Sequence, residues 1–171
     1  MSLRWTIGQT WDGQPLPPGQ IAHVVVTPGP EALVLELDAP WHGDPPPPGP
    51  AGPTWALWEH EVVEWFLLGA DDHYLELEFG PHGHQLILQL HGRRQVTARE
   101  LPLDYAVTRQ GDRWTGRAVI PRIYLPPSPR AANAYAIWGQ GEQRRYAAAA
   151  PVPGPQPDFH RLERFAPVSG L

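Results

Sequence analysis

Short stretches of alternating apolar and polar residues run along most of the chain, and prolines or glycines separate them. A period of two residues is typical of a β-strand that buries one face. No window of 12 or more residues has the spacing of an amphipathic helix. Besides a central meander of three strands at 57–90, the pattern predicts strands at 3–7, 21–27, 32–37, 95–100, 104–109, 113–120, 133–139 and 145–149. This series of short antiparallel strands predicts an all-β fold, a sandwich of two sheets.

The meander at 57–90 holds the densest cluster of carboxylates and aromatic rings in the sequence. If Pro81 and His82 are the central residues of its second turn, Phe79 pairs with His84. This register places eight apolar side chains on one face: Val62, Phe66, Leu68, Leu75, Leu77, Phe79, Leu86 and Leu88. Glu64 lies on the same face. It places a second set on a mixed face: Glu61, Val63, Trp65, Leu67, Tyr74, Glu76, Glu78, Gln85, Ile87 and Gln89. The two strands of the second hairpin sort independently into the same faces, which supports this register.

The mixed face of the meander is the first candidate for a binding site. Aromatic rings beside carboxylates and amides suit a sugar, because a ring stacks on the C–H face of a pyranose and acidic groups accept hydrogens from its hydroxyls. The alternative is an ordinary solvent-facing side of an antiparallel sheet. The predicted ligand-binding residues are Trp58, Glu61, Trp65, Tyr74, Glu76, Glu78, Trp138 and Arg144.

Two further ionisable residues are predicted to be buried and structural. Glu64 points into the apolar face in the register above, and a buried carboxylate must be paired, hydrogen-bonded or protonated. We expect it to form an ion pair with an arginine, for which the candidates are Arg144, Arg145 and Arg164. The alternative is a general acid with a raised pKa. His160 lies among aromatic residues near the C-terminus, and we expect it to be buried and to fix the closing strand.

A proline-rich stretch at 41–53 separates two blocks of strands. Proline cannot donate to a β-ladder, so this stretch is predicted to be an ordered surface loop and not a strand. The alternative is a polyproline ligand for an SH3-type or WW-type partner.

Composition narrows the range of functions. The 171 residues suffice for a single domain, 1–171, with a sizeable core. The formal net charge is -5 with no basic run, so a nucleic-acid partner is not expected. There is no cysteine, which excludes disulfides and thiolate chemistry. No apolar run could span a bilayer and no leader-like segment begins the chain, so we expect no membrane partner and a cytoplasmic location.

Motifs that would indicate catalysis or metal binding are weak. Neither a GxSxG nucleophile turn nor a glycine-rich nucleotide loop occurs. His82 and His84 flank Gly83 at a turn and could ligate a metal, but we expect exposed turn histidines and no metal. Paired carboxylates could hydrolyse a glycoside. Acidic pairs are also common on sheets that do not catalyse, so we expect no catalytic residues.

Long motifs along nearly the whole chain resemble one protein family. They are QTWDG (9–13), DPPPPGPAG (44–52), LWEHEVVEWFLL (57–68), YLELEFGPHGHQLILQLHGRR (74–94), RQGDRWTGRAVIP (109–121) and AAPVPGPQPDFHRLERF (149–165). They are similar, in the same order, to the uncharacterised family typified by the protein of human chromosome 4 open reading frame 33. That resemblance implies no particular activity.

A more distant similarity is to family-nine carbohydrate-binding modules and to DOMON-like sandwiches. It is carried by 64–66, 74–83, 119–122 and 159–165, although Arg122 stands where that pattern has tryptophan and Ala166 where it has glycine. It implies a jelly-roll-like, carbohydrate-binding-module-like sandwich, with sugar binding as an expectation. Some DOMON domains bind haem through methionine and histidine. The only methionine here is Met1, so no cofactor is expected.

Three functions therefore remain open. The leading hypothesis is non-catalytic binding of a carbohydrate or another small polar ligand. The second is an enzyme that acts on a sugar or sugar conjugate, with Glu64 or Glu76 as acid or base. The third is an interaction module that uses the proline-rich loop.

Overall fold

Strand-forming segments rich in valine and leucine, with proline and glycine between them, form fourteen strands in the computed structural model, which describes residues 1–171. The strands are β1 (Leu3–Ile7), β2 (Gln9–Thr10), β3 (Ala22–Pro28), β4 (Ala32–Pro40), β5 (Gly52–Pro53), β6 (Val62–Leu68), β7 (His73–Phe79), β8 (His84–His91), β9 (Val96–Ala98), β10 (Asp104–Gln110), β11 (Arg113–Pro121), β12 (Ala131–Trp138), β13 (Arg145–Ala148) and β14 (Ala166–Pro167). The only helical elements are 3-10 turns of three residues each. No helix has the length and apolar character that crossing a membrane requires.

The strands form two sheets, which confirms the predicted two-sheet sandwich. The five-stranded sheet has the order β1-β3-β4-β11-β10. The nine-stranded sheet has the central order β2-β13-β12-β6-β7-β8-β5, with β14 beside β12 and β9 beside β8. All neighbouring strands are antiparallel except β5 and β8.

Two apolar cores cover the two faces of the nine-stranded sheet. The first lies between the sheets and contains the fully or almost fully buried rings of Trp5, Trp65 and Trp114. The second lies on the outer face, where Phe66 packs beneath a C-terminal strap that we define as residues 149–165. Every residue of β6 is therefore buried, because both faces of that strand are covered. This double burial explains why the sequence of β6 is an almost continuous apolar run.

The C-terminal strap is attached to the sheet through β12. Asn133 Nδ2 donates to the Ala150 carbonyl oxygen, and the Ala150 N–H donates to Asn133 Oδ1, both at 2.9 Å. The Tyr135 hydroxyl donates to the Phe159 carbonyl oxygen at 3.1 Å, and the two rings stack at a centroid distance of 4.0 Å. These contacts make the strap a fixed cover for the outer face.

The predicted register of the β7–β8 hairpin is wrong by one residue. The Gly80 N–H donates to the His84 carbonyl oxygen at 2.9 Å, so three residues connect the strands where two were predicted. Gly83 has φ of +88°, which matches a type I turn followed by a left-handed glycine. Phe79 consequently pairs with Gln85 and not with His84.

The β6–β7 connection also contains three residues. The Gly69 N–H donates to the His73 carbonyl oxygen at 2.8 Å, and Leu68 pairs with Tyr74. Asp71 and Asp72 both adopt left-handed conformations inside this turn. A change of one residue in a register moves a strand's side chains to the other face relative to its partner.

The predicted division of the meander into two faces is therefore wrong. Glu64, which was placed opposite the other acids, shares the outer face with Glu76 and Glu78. Trp65 was placed on the ligand face, but it lies between the sheets beside Leu77. Two glutamines also lie on the inner face, and each is hydrogen-bonded. The side-chain N–H of Gln85 donates to the Leu103 carbonyl oxygen, and that of Gln89 donates to the Tyr124 carbonyl oxygen.

The proline-rich stretch is an ordered loop over most of its length, but its last two residues differ from the prediction. Gly52–Pro53 forms strand β5, which pairs with β8 in parallel. The proline does not prevent this pairing, because the ladder uses the N–H groups of Gly52 and Thr54 instead. Pro47 is buried, so the loop packs against the sandwich.

Candidate functional site

A cavity of about 470 Å³ lies on the outer face of the nine-stranded sheet. Binding sites for small molecules have volumes of about 300–1,000 Å³, so a compact ligand fits. We call it the outer-face cavity; it is lined by Trp55, Trp58, Glu64, Phe66, Glu76, Leu88, Leu90, Arg94, Val96, Ile137, Tyr146, Pro157, Phe159 and His160. Strands β6, β7, β8, β12 and β13 provide half of these side chains, and the strap, residues 55–58 and the segment 94–96 provide the others.

Three carboxyl groups meet at the floor of the cavity. Glu64 on β6 is the direct cross-strand partner of Glu78 on β7, and Glu76 is two residues from Glu78 on the same face. Cβ atoms of cross-strand partners are about 5 Å apart, so these side chains are in reach of one another. Glu64, Glu76 and Glu78 expose only 2%, 4% and 0% of their surface. Glu64 and Glu76 line the cavity, and Glu78 lies behind them.

None of these three acids is paired with an arginine. The predicted ion pair of Glu64 is therefore wrong. Arg144 instead donates to the carbonyl oxygens of Trp58 and Glu59, so its guanidinium fixes the chain at 58–59. Glu76 Oε2 and both carboxyl oxygens of Glu78 are buried without any hydrogen-bond partner. An arrangement of this kind is costly for an ionised carboxylate.

Burial changes the protonation of all three acids. It raises the pKa of Glu76 to about 7. Burial, together with the neighbouring acid groups, raises the pKa of Glu64 and of Glu78 well above the ordinary value. At neutral pH Glu64 and Glu78 are therefore largely neutral and Glu76 is about half-ionised, unless a positive group enters.

His160 reaches the cavity from the strap and is held by Tyr74. The Tyr74 hydroxyl lies 2.7 Å from His160 Nδ1 and accepts the backbone N–H of Arg94 at 2.9 Å. Burial raises the pKa of Tyr74 to about 12, so the phenol keeps its proton. Because its oxygen already accepts from Arg94, we assign the phenol as the donor to Nδ1. Burial, followed by the charges of Arg94 and Arg93, lowers the pKa of His160 to about 3.

This hydrogen bond determines the tautomer of His160. A neutral imidazole that accepts at Nδ1 carries its proton on Nε2. His160 Nε2 lies 3.9 Å from Glu76 Oε2, too far for a direct hydrogen bond. An N–H donor and a carboxyl group thus lie side by side on two residues that line the cavity.

Aromatic rings form the walls of the cavity. Trp55 and Trp58 meet edge to face at a centroid distance of 5.1 Å, and Trp55 is 44% exposed. Tyr146 and Phe159 meet edge to face on the β13 and strap side, at 6.1 Å. Exposing the apolar ring of a tryptophan to water is unfavourable, and a ligand that stacks on the ring would cover it.

Local backbone structure explains the position of the two tryptophans. A 3-10 turn at Leu57–Glu59 follows Ala56, which has a left-handed φ of 59°. Leu57 is fully buried in the outer core and anchors the turn. The carbonyl contacts from Arg144 hold the next two residues, so Trp58 is fixed against the cavity.

Ion pairs hold the strap over the other side of the cavity. Asp158 pairs with Arg93 and with Arg94, the latter at 2.8 Å. The Asp158 carboxylate also accepts the backbone N–H of His160 at 3.1 Å. The loop after β8 is thereby joined to the segment that carries His160.

Sequence comparison identifies the family. The chain is 43% identical to the UPF0462 protein C4orf33 homolog of Mus musculus, over 98% of this chain and 91% of the mouse protein. It is 40% identical to the UPF0462 protein C4orf33 of Homo sapiens, over 95% of this chain and 86% of the human protein. The chain belongs to the UPF0462 family. No protein-family model matches it.

A solved structure shares the fold of this UPF0462 chain. A crystal structure from Bacteroides uniformis ATCC 8492, described as a proposed carbohydrate-binding protein, superposes with a TM-score of 0.69. The match covers 85% of this chain and 76% of the other, at 15% sequence identity. A likeness at this level of identity establishes the fold alone.

The structure separates the predicted ligand-binding residues of the UPF0462 chain into groups. Trp58 and Glu76 line the outer-face cavity. Tyr74 and Glu78 lie behind its floor, and Arg144 positions Trp58 from outside it. Glu64 and His160 were predicted to be buried and structural, with a general acid as the alternative for Glu64, and both line the cavity. His160 also lies outside the closing strand β14, which begins six residues later.

Trp65 cannot contact a ligand in the cavity. It is fully buried between the two sheets and meets Trp5 edge to face at 5.4 Å. Trp138 does not face the cavity either. Its neighbour Ile137 lines the cavity, so the Trp138 side chain points to the opposite face of the sheet. Alternation along a strand separates these tryptophans from the site.

Glu61 also has a different role from the one predicted. Its carboxylate accepts the backbone N–H groups of His42 at 2.8 Å and Asp44 at 3.2 Å. The His42 ring in turn stacks on Trp138 at 4.4 Å. Glu61 and Trp138 therefore order the proline-rich loop and do not face the outer-face cavity.

Several lining residues were missed by sequence reasoning. Trp55, Arg94, Tyr146 and Phe159 come from four separate segments, and only tertiary folding brings them together. The aromatic composition of the tail around Phe159 was the one available signal, and it was interpreted as structural.

The histidines at the β7–β8 turn contact the proline-rich loop. His82 Nε2 lies 3.2 Å from the Asp44 carbonyl oxygen, and His84 Nε2 lies 3.3 Å from the Gly49 carbonyl oxygen. No group of three or more histidine and carboxylate side chains is arranged to hold a metal ion.

Proposed function

We propose that the outer-face cavity binds a small polyhydroxylated ligand, such as a sugar or one unit of a glycan, without changing it chemically. The support is chemical complementarity. The floor offers carboxyl oxygens and an imidazole N–H, and the walls offer aromatic rings. A sugar presents hydroxyls on its rim and C–H groups on its faces, which match those two kinds of surface.

The pair formed by Glu76 and His160 carries the proposal. Glu76 lines the cavity, and its Oε2 is buried and lacks a hydrogen-bond partner. His160 Nε2 lies 3.9 Å away and is a donor in the tautomer that Tyr74 selects. A ligand hydroxyl between them accepts from the imidazole and donates to the carboxyl oxygen. This is the chemistry of a hydroxyl group, which both accepts and donates.

The aromatic walls of the cavity and a protein of the same fold add support. Trp58 is held against the cavity, and Trp55 extends the aromatic surface to the opening. The Bacteroides uniformis protein of the same fold is described as a proposed carbohydrate-binding protein. Its description is consistent with the same class of ligand here.

Binding without catalysis is favoured by the protonation of the floor. Hydrolysis by two carboxyl groups needs one of them ionised as base or nucleophile. Burial raises the pKa of Glu64 and Glu78 well above the ordinary value, so neither is a base at neutral pH, and Glu76, with a pKa of about 7, is the one acid of the floor that ionises appreciably there.

An enzyme acting on a sugar conjugate is the second candidate. It is favoured by one observation, the pKa of about 7 that burial gives to Glu76, because a general acid works best near the ambient pH. Profiling with chromogenic glycosides and sugar esters tests it. Turnover that Glu76→Gln abolishes, with binding retained, would establish the enzyme.

The proline-rich loop gives less support to an interaction module. The loop is tied to Glu61 through backbone N–H groups, and Pro47 is buried. A polyproline ligand for a partner domain must instead be exposed along its length.

Ligand-observed NMR with neutral and amino monosaccharides and disaccharides tests the proposed function. We expect Trp58→Ala and Glu76→Gln each to lower the affinity about tenfold or more, since each removes a contact worth about 1.4 kcal/mol or more. Glu36→Gln is the matched acidic control, because Glu36 is exposed on the five-stranded sheet. Trp41→Ala is the matched aromatic control, because Trp41 is half-buried and lies under Arg109 away from the cavity.

Two outcomes would contradict the proposed function. One is the absence of binding across the whole sugar panel. The other is sugar binding that Trp58→Ala and Glu76→Gln leave unchanged while both variants remain folded.

A further inference from the structure

The floor of the outer-face cavity has an excess of acid groups over bases. Glu64 and Glu76 line it, Glu78 lies against both, and none of the three forms an ion pair with an arginine. Three of their carboxyl oxygens are buried without a partner. Buried acids are ordinarily matched by a cation or a set of donors. Here the chain supplies no cation, and the only groups near Glu78 that could donate are the Trp58 backbone N–H and the Glu76 carboxyl.

The nearby positive groups are already committed to other contacts. Arg144 donates to the carbonyl oxygens of Trp58, Glu59 and Gly139. Arg94 lines the cavity, but its guanidinium pairs with Asp158 and its side chain is 58% exposed. These carboxyls are therefore neutralised either by their own protons or by a cation that enters the cavity.

The walls are also suited to a cation. Trp55 and Trp58 on one side and Tyr146 and Phe159 on the other surround the same space. Cations are attracted to the faces of aromatic rings, most strongly to tryptophan and when desolvated. Arg99 already occupies this kind of position over Trp55, with its guanidinium carbon 4.8 Å from the ring centre.

We propose that the ligand of the outer-face cavity carries a protonated amine next to a hydroxyl, as an amino sugar with a free amino group does. The hydroxyl bridges His160 Nε2 and the Glu76 carboxyl, and the ammonium group faces the carboxyls of Glu76 and Glu64 between the aromatic walls. The inference rests on the proposed function, because it names the class of sugar for the same site.

Proton release should accompany binding. The free cavity holds carboxyls that are largely protonated, and an ammonium group favours their ionised form, so its entry displaces a proton from Glu76 or a neighbour. The protonation of Glu76 depends on the ionisable groups that surround it. These are Glu64 from β6; Tyr74 and Glu78 from β7; Arg93 and Arg94 after β8; Tyr135 from β12; Arg144 and Tyr146 at β13; Asp158 and His160 from the strap. Among the acids, Glu76 is the one closest to half-ionised at neutral pH.

Isothermal titration calorimetry tests the inference. The probes are glucosamine, galactosamine and mannosamine, each compared with its neutral parent sugar and its N-acetyl derivative. We expect at least one amino sugar to bind about tenfold or more tightly than both of its neutral counterparts, which corresponds to about 1.4 kcal/mol. At pH 6.5, titrations in buffers of different ionisation enthalpy should show proton release of up to about one per ligand.

Glu76→Gln and Glu36→Gln are the matched variants. The first should remove both the preference for the amine and the proton release, and the second should leave them unchanged. Thermal melting establishes that each variant is folded. If Glu76→Gln does not fold, the proton release of the unmodified protein still decides the matter.

The failures of the two proposals differ. Equal binding of an amino sugar and its neutral parent, or binding without proton release, would overturn the amine inference and leave the proposed function intact. Absence of binding by all nine sugars would overturn the amine inference. The wider sugar panel then decides the proposed function separately.

Discussion

Glu64 and Glu78 are direct partners across strands β6 and β7, on the same face and without a cation between them. Two ionised carboxylates at this distance in a buried setting repel each other, and like charges directly opposite on a sheet are destabilising. The pair is stable only while at least one member keeps its proton. The chain thus places an acid pair beside Glu76 at the floor of the outer-face cavity.

Stability in the absence of ligand should fall as the pH rises above about 5. A carboxyl whose pKa is higher in the folded state binds its proton more tightly there, so folding stability is lost as the pH rises through the window between the two pKa values. For Glu76 this window runs from 4.5 to about 7 and corresponds to on the order of 3 kcal/mol. Urea denaturation at pH 5 and pH 8 measures it. Glu76→Gln should shrink the difference between the two pH values by that amount, whereas Glu36→Gln should not.

His160 should produce the opposite dependence at acidic pH. Its pKa is lowered in the folded state to about 3, mainly by burial, from an ordinary 6.5. The unfolded chain therefore takes up a proton first, and stability is lost as the pH falls from about 6.5 towards 3. Between pH 6.5 and pH 4 the loss is on the order of 3 kcal/mol. His160→Gln keeps an acceptor for Tyr74 and should flatten this acidic limb in urea titrations. An unchanged acidic limb would refute the buried neutral imidazole.

The two tryptophans Trp65 and Trp58 should respond differently to truncation. Trp65→Ala leaves a cavity between the sheets and should lower the free energy of unfolding by about 3–5 kcal/mol. Trp58→Ala removes a half-buried wall of the outer-face cavity and should cost less stability but weaken ligand binding. Chemical denaturation and sugar titration of both variants separate the roles. Equal stability losses would contradict the placement of Trp65 in the inner core.

Glu61 should control the order of the proline-rich loop. Its carboxylate accepts two backbone N–H groups, from His42 and Asp44. Glu61→Ala leaves these donors without their partner, which typically costs about 1–3 kcal/mol. Hydrogen exchange at residues 42 and 44 should accelerate, and proteolysis within 41–51 should increase. Glu59→Ala is the control, because the Glu59 side chain is exposed and makes no such contact. Similar exchange in both variants would contradict this role for Glu61.

The strands were predictable because their signal is local. Alternation and punctuation located β1, the β3–β4 hairpin and the β10–β11 hairpin close to their observed bounds. The turn at 80–83 shows the limit of this reasoning. A glycine in the last position of the loop suits a three-residue connection, and the left-handed Gly83 reveals which of two plausible turns forms. One residue of difference in this turn moves Leu86 and Leu88 to the face of Glu76 and Glu78, and the three-residue β6–β7 connection does the same for Glu64.

The candidate site was only partly predictable, for a different reason. Glu76 and Trp58 were named because acids and aromatic rings cluster in that part of the sequence. His160 comes from the strap, 84 residues after Glu76 in the chain, and no local pattern indicates that it reaches the same cavity. The contact with Tyr74 that sets its tautomer is likewise long-range.

The sequence by itself determined that this UPF0462 chain is an all-β sandwich, because periodicity of two and the punctuation by proline and glycine act over a few residues. Only the tertiary structure decided that the carboxyl-rich part of the meander at 57–90 lies beneath a strap and not in solvent. Turn geometry set the face on which Glu64 joins Glu76 and Glu78, and packing of residues 149–165 over that face buried them. Burial and charge are collective properties of segments far apart in the chain, which is why no single stretch of sequence reveals them.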